Sequence, residues 1–169
     1  MTSDERKVLL ISDHDSVWKH VTPFLSGMDV VLGPSKHAPV TNFAAVGHST
    51  GGREAQRMAL DSGAKALVLM DCEILPGREQ DLQGLAIPTF ILWGEDDTSH
   101  TVEVAYRLNE LIKHSTLALV PGCGHDLPEQ APDVVGPLIA EFLRSQWLGM
   151  AHGHVIGPVH IDLGKTPGL

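Results

Sequence analysis

Six short apolar segments, separated by polar or amphipathic stretches, constrain what this chain can fold into more than any other feature of it. Each segment is five or six residues long and almost continuously hydrophobic, which is typical of strands covered on both faces. The predicted strands span residues 7–12, 28–32, 43–48, 66–70, 88–93 and 115–120. Because both faces of such a sheet must be covered, helices are expected between the strands.

Helical patterns fill most of the gaps between these strands. The first predicted helix begins at Ser16 as its N-cap and ends at Gly27. Its apolar residues recur at helical spacing: Val17, Trp18, Val21 and Leu25. Further helices are predicted over 53–60, 102–112 and 132–148. Strands that alternate with helices predict an α/β fold, with three layers in which helices cover both faces of a mostly parallel, twisted sheet.

Composition indicates the class of protein and of partner. The 169 residues are 43% hydrophobic and 20% charged, so we expect one globular domain over 1–148 and a Gly-, Pro- and His-rich tail over 149–169. The formal net charge is −9 without a Lys/Arg-rich stripe, which argues against a nucleic-acid partner. The polar start and short apolar runs predict a cytoplasmic protein that does not enter a membrane. Cys72 and Cys123 are predicted to be free thiols.

The most informative motif is Gly47-His48-Ser49-Thr50-Gly51, a G-x-S-x-G pattern directly after a predicted strand and before a predicted helix. A serine on a sharp strand-to-helix turn exposes its hydroxyl, and small flanking residues let the neighbouring backbone pack closely. The helix that follows offers its first N–H groups to a developing oxyanion. Taken alone, the motif also fits a glycine-rich turn that carries an incidental serine, although the nucleophile is the favoured interpretation.

Two later strands deliver the partners that a serine nucleophile needs. The strand over 88–93 runs into Asp97, and the strand over 115–120 runs into His125, so both side chains are expected at the same sheet edge as Ser49. A serine hydroxyl needs a neighbouring base, and that base needs a carboxylate to hold its tautomer. Asp96 has the same chemistry as its neighbour, and Asp71, at the end of the strand over 66–70, is the alternative acid.

With these motifs, the chain resembles the α/β-hydrolase family over roughly residues 6–145. The matching stretches are 46–52, 91–97, 120–125 and 128–132. The resemblance implies a catalytic triad of Ser49, Asp97 and His125, with the backbone N–H of Thr50 as one oxyanion donor. It also implies a hydrolase that forms an acyl-enzyme on a small-molecule, ester-like substrate and uses no cofactor.

The chain departs from the family pattern in three places. Relatives usually carry His-Gly after the first core strand, whereas this chain has Ser12-Asp13-His14, so the second oxyanion donor would be the backbone N–H near His14. An Asp13 or Asp15 carboxylate that points inward would oppose an oxyanion. The N-terminal antiparallel strands and the cap are lacking, and the segment 72–86 predicts only a loop. The incomplete sheet leaves an apolar edge, which favours a homo-oligomer.

Three functions follow from this pattern. The first is a carboxylic-ester hydrolase. The others are a non-hydrolytic, lyase-type enzyme that uses the same triad, and a ligand-binding or interaction protein with little turnover. Residues of the tail could form a metal cluster, but the chain offers no second set of ligands on a rigid element, and no metal site is predicted. The histidines and the acid concerned are His152, His154, His160 and Asp162.

Overall fold

The computed structural model describes residues 6–33, 42–147 and 159–160. In this part of the chain, seven strands form one parallel sheet in the order β2-β1-β3-β4-β5-β6-β7. The strands are β1 (Lys7–Ile11), β2 (Asp29–Leu32), β3 (Phe43–His48), β4 (Ala66–Met70), β5 (Thr89–Gly94), β6 (Ser115–Val120) and β7 (Val159–His160). The six predicted strands are therefore confirmed.

Helices cover both faces of the sheet and bury its side chains in two clusters. The helices are α1 (Thr50–Asp61), α2 (Glu79–Gln83), α3 (Val102–Leu111), α4 (Leu127–Gln130) and α5 (Pro132–Gln146). Along β1, Val8 and Leu10 belong to the cluster under α5, whereas Leu9 and Ile11 belong to the cluster under α1 and α3. Burial on both faces explains why each strand is continuously apolar and confirms the three-layer α/β architecture.

The strand order reverses beside β1, and this reversal positions the functional residues. The chain passes from β1 to β2 on one side, and β3 then pairs with the other side of β1, with Ile11 opposite Gly47. In open α/β sheets, crevices form outside the strand ends at such a switch point. The residues that follow β1 and β3, Ser12–His14 and Ser49, lie at this crevice.

The segment after β1 differs from the predicted helix. Two 3₁₀ turns, Asp15–Trp18 and Thr22–Leu25, replace a continuous α-helix, and the N-cap of the first is His14, not Ser16. The physical reason is Pro23, which has no N–H group to donate to Lys19 O in a continuous α-helix and whose ring would clash with that carbonyl. The prediction of a buried face is nevertheless confirmed for its four members: Val17, Trp18, Val21 and Leu25.

Replacing Trp18 with alanine is expected to lower the free energy of unfolding by about 3–5 kcal/mol, because the fully buried ring leaves a cavity. Its edge packs against the His48 ring, with centroids 6.3 Å apart. Denaturant unfolding followed by circular dichroism measures the loss. Trp18→Phe is the matched control and should cost much less, since it keeps an aromatic ring and removes a buried indole N–H that has no partner among the described residues. A loss below about 1 kcal/mol for Trp18→Ala would contradict this packing.

Three short elements were missed by the sequence analysis: α2 within the predicted loop 72–86, α4 after His125, and β7 within the predicted tail. Helices of four or five residues are too short for a periodic pattern. The two residues of β7 join the sheet by pairing with Ala118 and Leu119. The rest of the tail, with His152, His154 and Asp162, lies outside the described residues, as do residues 34–41.

Cys72 and Cys123 are both free, as predicted, and both are buried. Among the described residues, no helix has the length and apolar character needed to cross a bilayer. The edge strand β2 leaves Leu32 exposed, and pairing of this edge with a second copy of the chain stays a prediction.

Candidate active site

Ser49 is the single residue that connects β3 to α1. Its backbone has φ 57° and ψ −127°, a conformation that side-chain-bearing residues adopt rarely and at an energetic cost. The Ser49 N–H donates a hydrogen bond to Met70 O at 3.1 Å, which ties the turn to the end of β4. The turn therefore holds the hydroxyl at the carboxyl edge of the sheet, as the motif predicts.

The glycines around Ser49 are required by close packing. A Cβ atom on Gly51 would lie 2.1 Å from Ile11 O, and a Cβ atom on Gly47 would lie 2.5 Å from Gly51 O. At Gly52 it would lie 2.2 Å from Cys72 Cβ. The start of α1 consequently packs directly on β1 and on the end of β4, and no larger residue fits without moving the turn.

The side chains of Ser49, His125 and Asp97 form one continuous chain of polar contacts. Ser49 Oγ lies 3.0 Å from His125 Nε2, and His125 Nδ1 lies 3.0 Å from Asp97 Oδ2. These are the lengths of good hydrogen bonds. The structure thus brings together the three side chains that the sequence analysis selected, from the ends of β3, β5 and β6.

Tight packing between two loops delivers Asp97 to His125. The Asp96 N–H donates to Cys123 O at 2.8 Å, and a Cβ atom on Gly94 would lie 2.4 Å from Gly124 O. The backbone after β5 is therefore pressed against the loop that follows β6. Asp96 is exposed to solvent whereas Asp97 is buried, so Asp97 is the one of these two neighbouring carboxylates that faces His125.

Asp97 is held as a carboxylate by donors on three sides. Burial alone would raise its pKa, but hydrogen bonds from the backbone N–H of His100, from His125 and from the backbone N–H of Ser99 outweigh burial, and the pKa of Asp97 lies below its ordinary value. The two backbone groups bind Oδ1 at 2.9 and 2.8 Å. Oδ2 therefore remains directed at the imidazole, which orients the ring.

Asp71, the alternative acid, occupies a different environment. It is fully buried at the end of β4, its Oδ1 accepts the Gly94 N–H at 3.0 Å, and Oδ2 has no hydrogen-bond partner within the described chain. Burial, together with the nearby charge of Asp97, raises the pKa of Asp71 to about 9. A carboxyl group that is neutral at pH 7 does not supply the negative charge that an imidazolium needs.

The loop after β1, where the sequence departs from the α/β-hydrolase pattern, lies on the side of the site where an oxyanion would form. The N–H of Thr50, the first residue of α1, has no acceptor within its own helix and is available to an anion. His14 has extended backbone next to Asp13, and Asp13 Oδ2 lies 3.3 Å from Ser49 Oγ. The Asp13 carboxylate therefore points at the nucleophile, whereas Asp15 lies beside Gly33, about 3.6 Å from where a Cβ would be.

Two histidines at the site were missed by the sequence analysis. His48 is buried, with Nδ1 3.0 Å from Ser12 Oγ and Nε2 2.7 Å from His125 O, so it connects the end of β1 to the loop of the base. Burial lowers the pKa of His48, which keeps the ring neutral. The ring of His100 stacks on that of His125, with centroids 5.0 Å apart. Because both contacts join distant parts of the chain, no local pattern marks either residue.

The chain is similar to known proteins over part of its length. The chain is 35% identical over 86 residues to a putative non-heme chloroperoxidase from Synechocystis sp., a match that covers 49% of this chain and 31% of that protein. It is 32% identical over 66 residues to monoacylglycerol lipase ABHD6 from Bos taurus, covering 39% of this chain and 20% of that protein. The matched segments thus span less than a third of these relatives. No family model matches the chain.

Solved structures are similar over most of the chain. The meta-cleavage product hydrolase from Pseudomonas fluorescens IP01 superposes with a TM-score of 0.72 at 17% sequence identity. The aligned region covers 83% of this chain and 91% of that chain. At such low identity the similarity establishes a shared fold.

Proposed function

The chain is a member of the α/β-hydrolase fold family, and we propose that it is a serine hydrolase that cleaves carboxylic esters through an acyl-enzyme on Ser49. In this proposal His125 is the general base and Asp97 is the acid that orients it. One observation carries the proposal: two consecutive 3.0 Å contacts link Ser49 Oγ to His125 Nε2 and His125 Nδ1 to Asp97 Oδ2.

The proposed reaction has two halves that use the same imidazole. His125 Nε2 accepts the Ser49 hydroxyl proton while Oγ attacks the carbonyl carbon, and Asp97 stabilises the resulting imidazolium. The bond to the leaving alcohol then breaks as His125 returns the proton to the alcohol oxygen. Water, deprotonated by the same nitrogen, hydrolyses the acyl-enzyme, which releases the carboxylic acid and restores Ser49.

The surroundings of the nucleophile support esters over amides. The Thr50 N–H and the positive end of α1 stabilise the oxyanion, but the Asp13 carboxylate, 3.3 Å from Ser49 Oγ, opposes negative charge there. A site with weakened oxyanion stabilisation suits a carbonyl that is already reactive, and an amide is less reactive because of its partial C–N double bond. The partial similarity to a monoacylglycerol lipase supports an ester substrate as well.

The contact of Asp13 also favours a second candidate function. A protein that keeps the three residues but stabilises the oxyanion poorly would bind an ester-like ligand and turn it over very slowly. The two functions differ in turnover and not in the reactivity of the serine towards a phosphorus electrophile.

Treatment with a fluorophosphonate is expected to add one phosphonyl group per chain, on Ser49, because Oγ is the hydroxyl that His125 activates. Intact-mass spectrometry measures the adduct, and peptide mapping locates it. Ser49→Ala should remove the adduct, while Ser26→Ala, which changes an exposed serine outside the site, should keep it.

A panel of esters, lactones and thioesters on the same protein distinguishes the candidate functions. Turnover of short p-nitrophenyl esters together with labelling supports the ester hydrolase. Labelling without turnover supports the binding protein. An adduct that persists in Ser49→Ala would contradict both.

A further inference from the structure

The imidazole of His100 lies beside the proposed base, His125, and the proposed acid, Asp97, and has no role in the hydrolytic mechanism. His100 Nδ1 lies 3.4 Å from His125 Nδ1, on the side of the ring that faces Asp97. The three donor atoms of Asp97, His100 and His125 all lie within 4.8 Å of one another. Orientation of a base needs only one carboxylate, so His100 is an additional nitrogen donor at this point.

The spacing of the donors corresponds to that of metal ligands. In a tetrahedral site with Zn–ligand bonds of about 2.0–2.1 Å, neighbouring ligand atoms lie about 3.3 Å apart. The two contacts made by His125 Nδ1, 3.4 Å to His100 and 3.0 Å to Asp97, bracket this value. Two of the three distances between donor atoms are therefore already close to those of a tetrahedral site, and all three donors lie within 4.8 Å of one another.

Neighbouring groups keep two of the three ligands in position. Trp93 Nε1 donates to His100 O at 2.7 Å and fixes the backbone of that residue. The carboxylate of Glu73 lies 3.8 Å from His100 Nε2, beyond hydrogen-bond distance, while the other ring nitrogen, Nδ1, lies beside His125. Asp97 Oδ1 is occupied by two N–H groups, so Oδ2 is the atom available to a cation.

We propose that Asp97, His100 and His125 form a binding site for a divalent transition-metal ion of the Zn²⁺ class, and that the bound ion switches off the catalytic base. The His100 and His125 rings are inclined by 29°, so sharing one ion requires the partly exposed His100 ring to turn about its Cβ–Cγ bond. Water completes the tetrahedron. This assignment departs from the expectation, drawn from the sequence, that the chain holds no metal.

The consequence for catalysis follows from the tautomer of His125. The ion takes the place of the proton on Nδ1, and Nε2 takes up a proton from solvent as Nδ1 releases one, so the ring stays neutral. Nε2 then donates to Ser49 Oγ and no longer accepts its proton. Asp97 binds the ion and not the imidazole N–H. Reversible inhibition is therefore the expected result of occupancy.

The ligand set selects the class of ion. Two imidazoles and one carboxylate suit Zn²⁺, Co²⁺, Ni²⁺ and Cu²⁺, whereas Mg²⁺ and Ca²⁺ prefer oxygen ligands alone. Inhibition rests on the proposed hydrolase function, but binding of the ion does not. The two can therefore be tested separately.

Binding is measured on the full-length Ser49→Ala chain after removal of metals with EDTA. Isothermal titration with ZnCl₂ gives affinity, and the visible absorption of Co²⁺ reports tetrahedral coordination. Introducing His100→Gln should weaken the affinity of one Zn²⁺ site by at least about tenfold and remove its Co²⁺ bands. His114→Gln, which changes an exposed histidine just before β6, should leave both unchanged. Equal binding in the two variants would overturn the proposed site.

Inhibition is measured as the ratio of ester hydrolysis without and with metal, within each variant. Zn²⁺ at concentrations that fill the site should lower the activity of the native sequence by at least about tenfold, EDTA should restore it, and Mg²⁺ should have no effect. In His100→Gln the ratio should approach one at the same Zn²⁺ concentration. Filling of the site without loss of activity would overturn the switch. Absence of esterase activity in every sample would contradict the hydrolase proposal alone, and the binding measurement would still decide the metal site.

Discussion

We expect kcat for a p-nitrophenyl ester to fall by nearly the same factor, on the order of 10⁶, in Ser49→Ala, in His125→Ala and in the double variant. The reason is that the hydroxyl and the imidazole act as one unit through their 3.0 Å contact. Without the base the hydroxyl is not activated, and without the hydroxyl the base has nothing to deprotonate. Steady-state kinetics with product detection over hours measures such low residual rates.

Surface substitutions of the same kind are the controls for this comparison. Ser26→Ala and His114→Ala change exposed residues outside the site and should keep kcat close to that of the native sequence. If the double variant instead lost the product of the two single effects, the residues would act independently, and their assignment to one catalytic unit would be wrong.

Asparagine at position 97 is expected to reduce kcat on the order of 10⁴, with a much smaller change in substrate affinity. The amide has nearly the shape of the carboxylate, but it presents no charge to the imidazolium and permits the wrong tautomer of His125. Two backbone N–H groups that now bind Asp97 Oδ1 would hold the amide in place. The loss should therefore appear in the chemical step. Pre-steady-state acylation rates measure that step directly.

The same substitution at the neighbouring acids tests the choice of Asp97. Asp96→Asn and Asp71→Asn should each change kcat by less than about tenfold, because Asp96 is exposed and Asp71 is a buried neutral acid that an amide imitates. A large loss in Asp71→Asn with a nearly silent Asp97→Asn would place the acid on β4.

The pH dependence of stability checks the neutral state of Asp71 independently of activity. Its carboxyl group ionises near pH 3.8 when unfolded and at about 9 when folded, so folding takes up a proton between these values. An acid with a raised pKa stabilises the fold below its unfolded pKa, and this contribution is lost as pH rises. The free energy of unfolding should therefore fall less steeply with pH in Asp71→Asn than in the native sequence.

The carboxylate of Asp13 affects both candidate functions, ester hydrolysis and ligand binding. In the loop after β1, its carboxylate Oδ2 lies 3.3 Å from Ser49 Oγ, which also lies 3.0 Å from His125 Nε2. In the proposed mechanism, the negative charge of Asp13 would weaken oxyanion stabilisation. Weak oxyanion stabilisation lowers the rate of acylation but leaves the serine able to react with a fluorophosphonate. The labelling experiment therefore tests the nucleophile, and the ester panel tests the oxyanion site.

The sequence by itself determined the architecture and the three side chains selected for the site. Buried strands need continuous apolar runs, so the six longer strands and their order along the chain can be predicted from the local sequence. The G-x-S-x-G turn and the residues just beyond β5 and β6 follow strand ends, and a parallel sheet directs all of these to one edge. Fold class and the neighbourhood of Ser49, Asp97 and His125 therefore followed from short-range pattern and one topological rule.

Only the tertiary structure decided which groups touch. The broken helix after β1 depended on Pro23 acting against an otherwise helical apolar face, and β7 depended on pairing with a strand about 40 residues earlier. The neutral state of Asp71, the link made by His48 and the approach of His100 to His125 all arise where segments distant in sequence pack together. Burial, charge and hydrogen bonding at such points depend on three-dimensional neighbours, which periodicity and motifs do not encode.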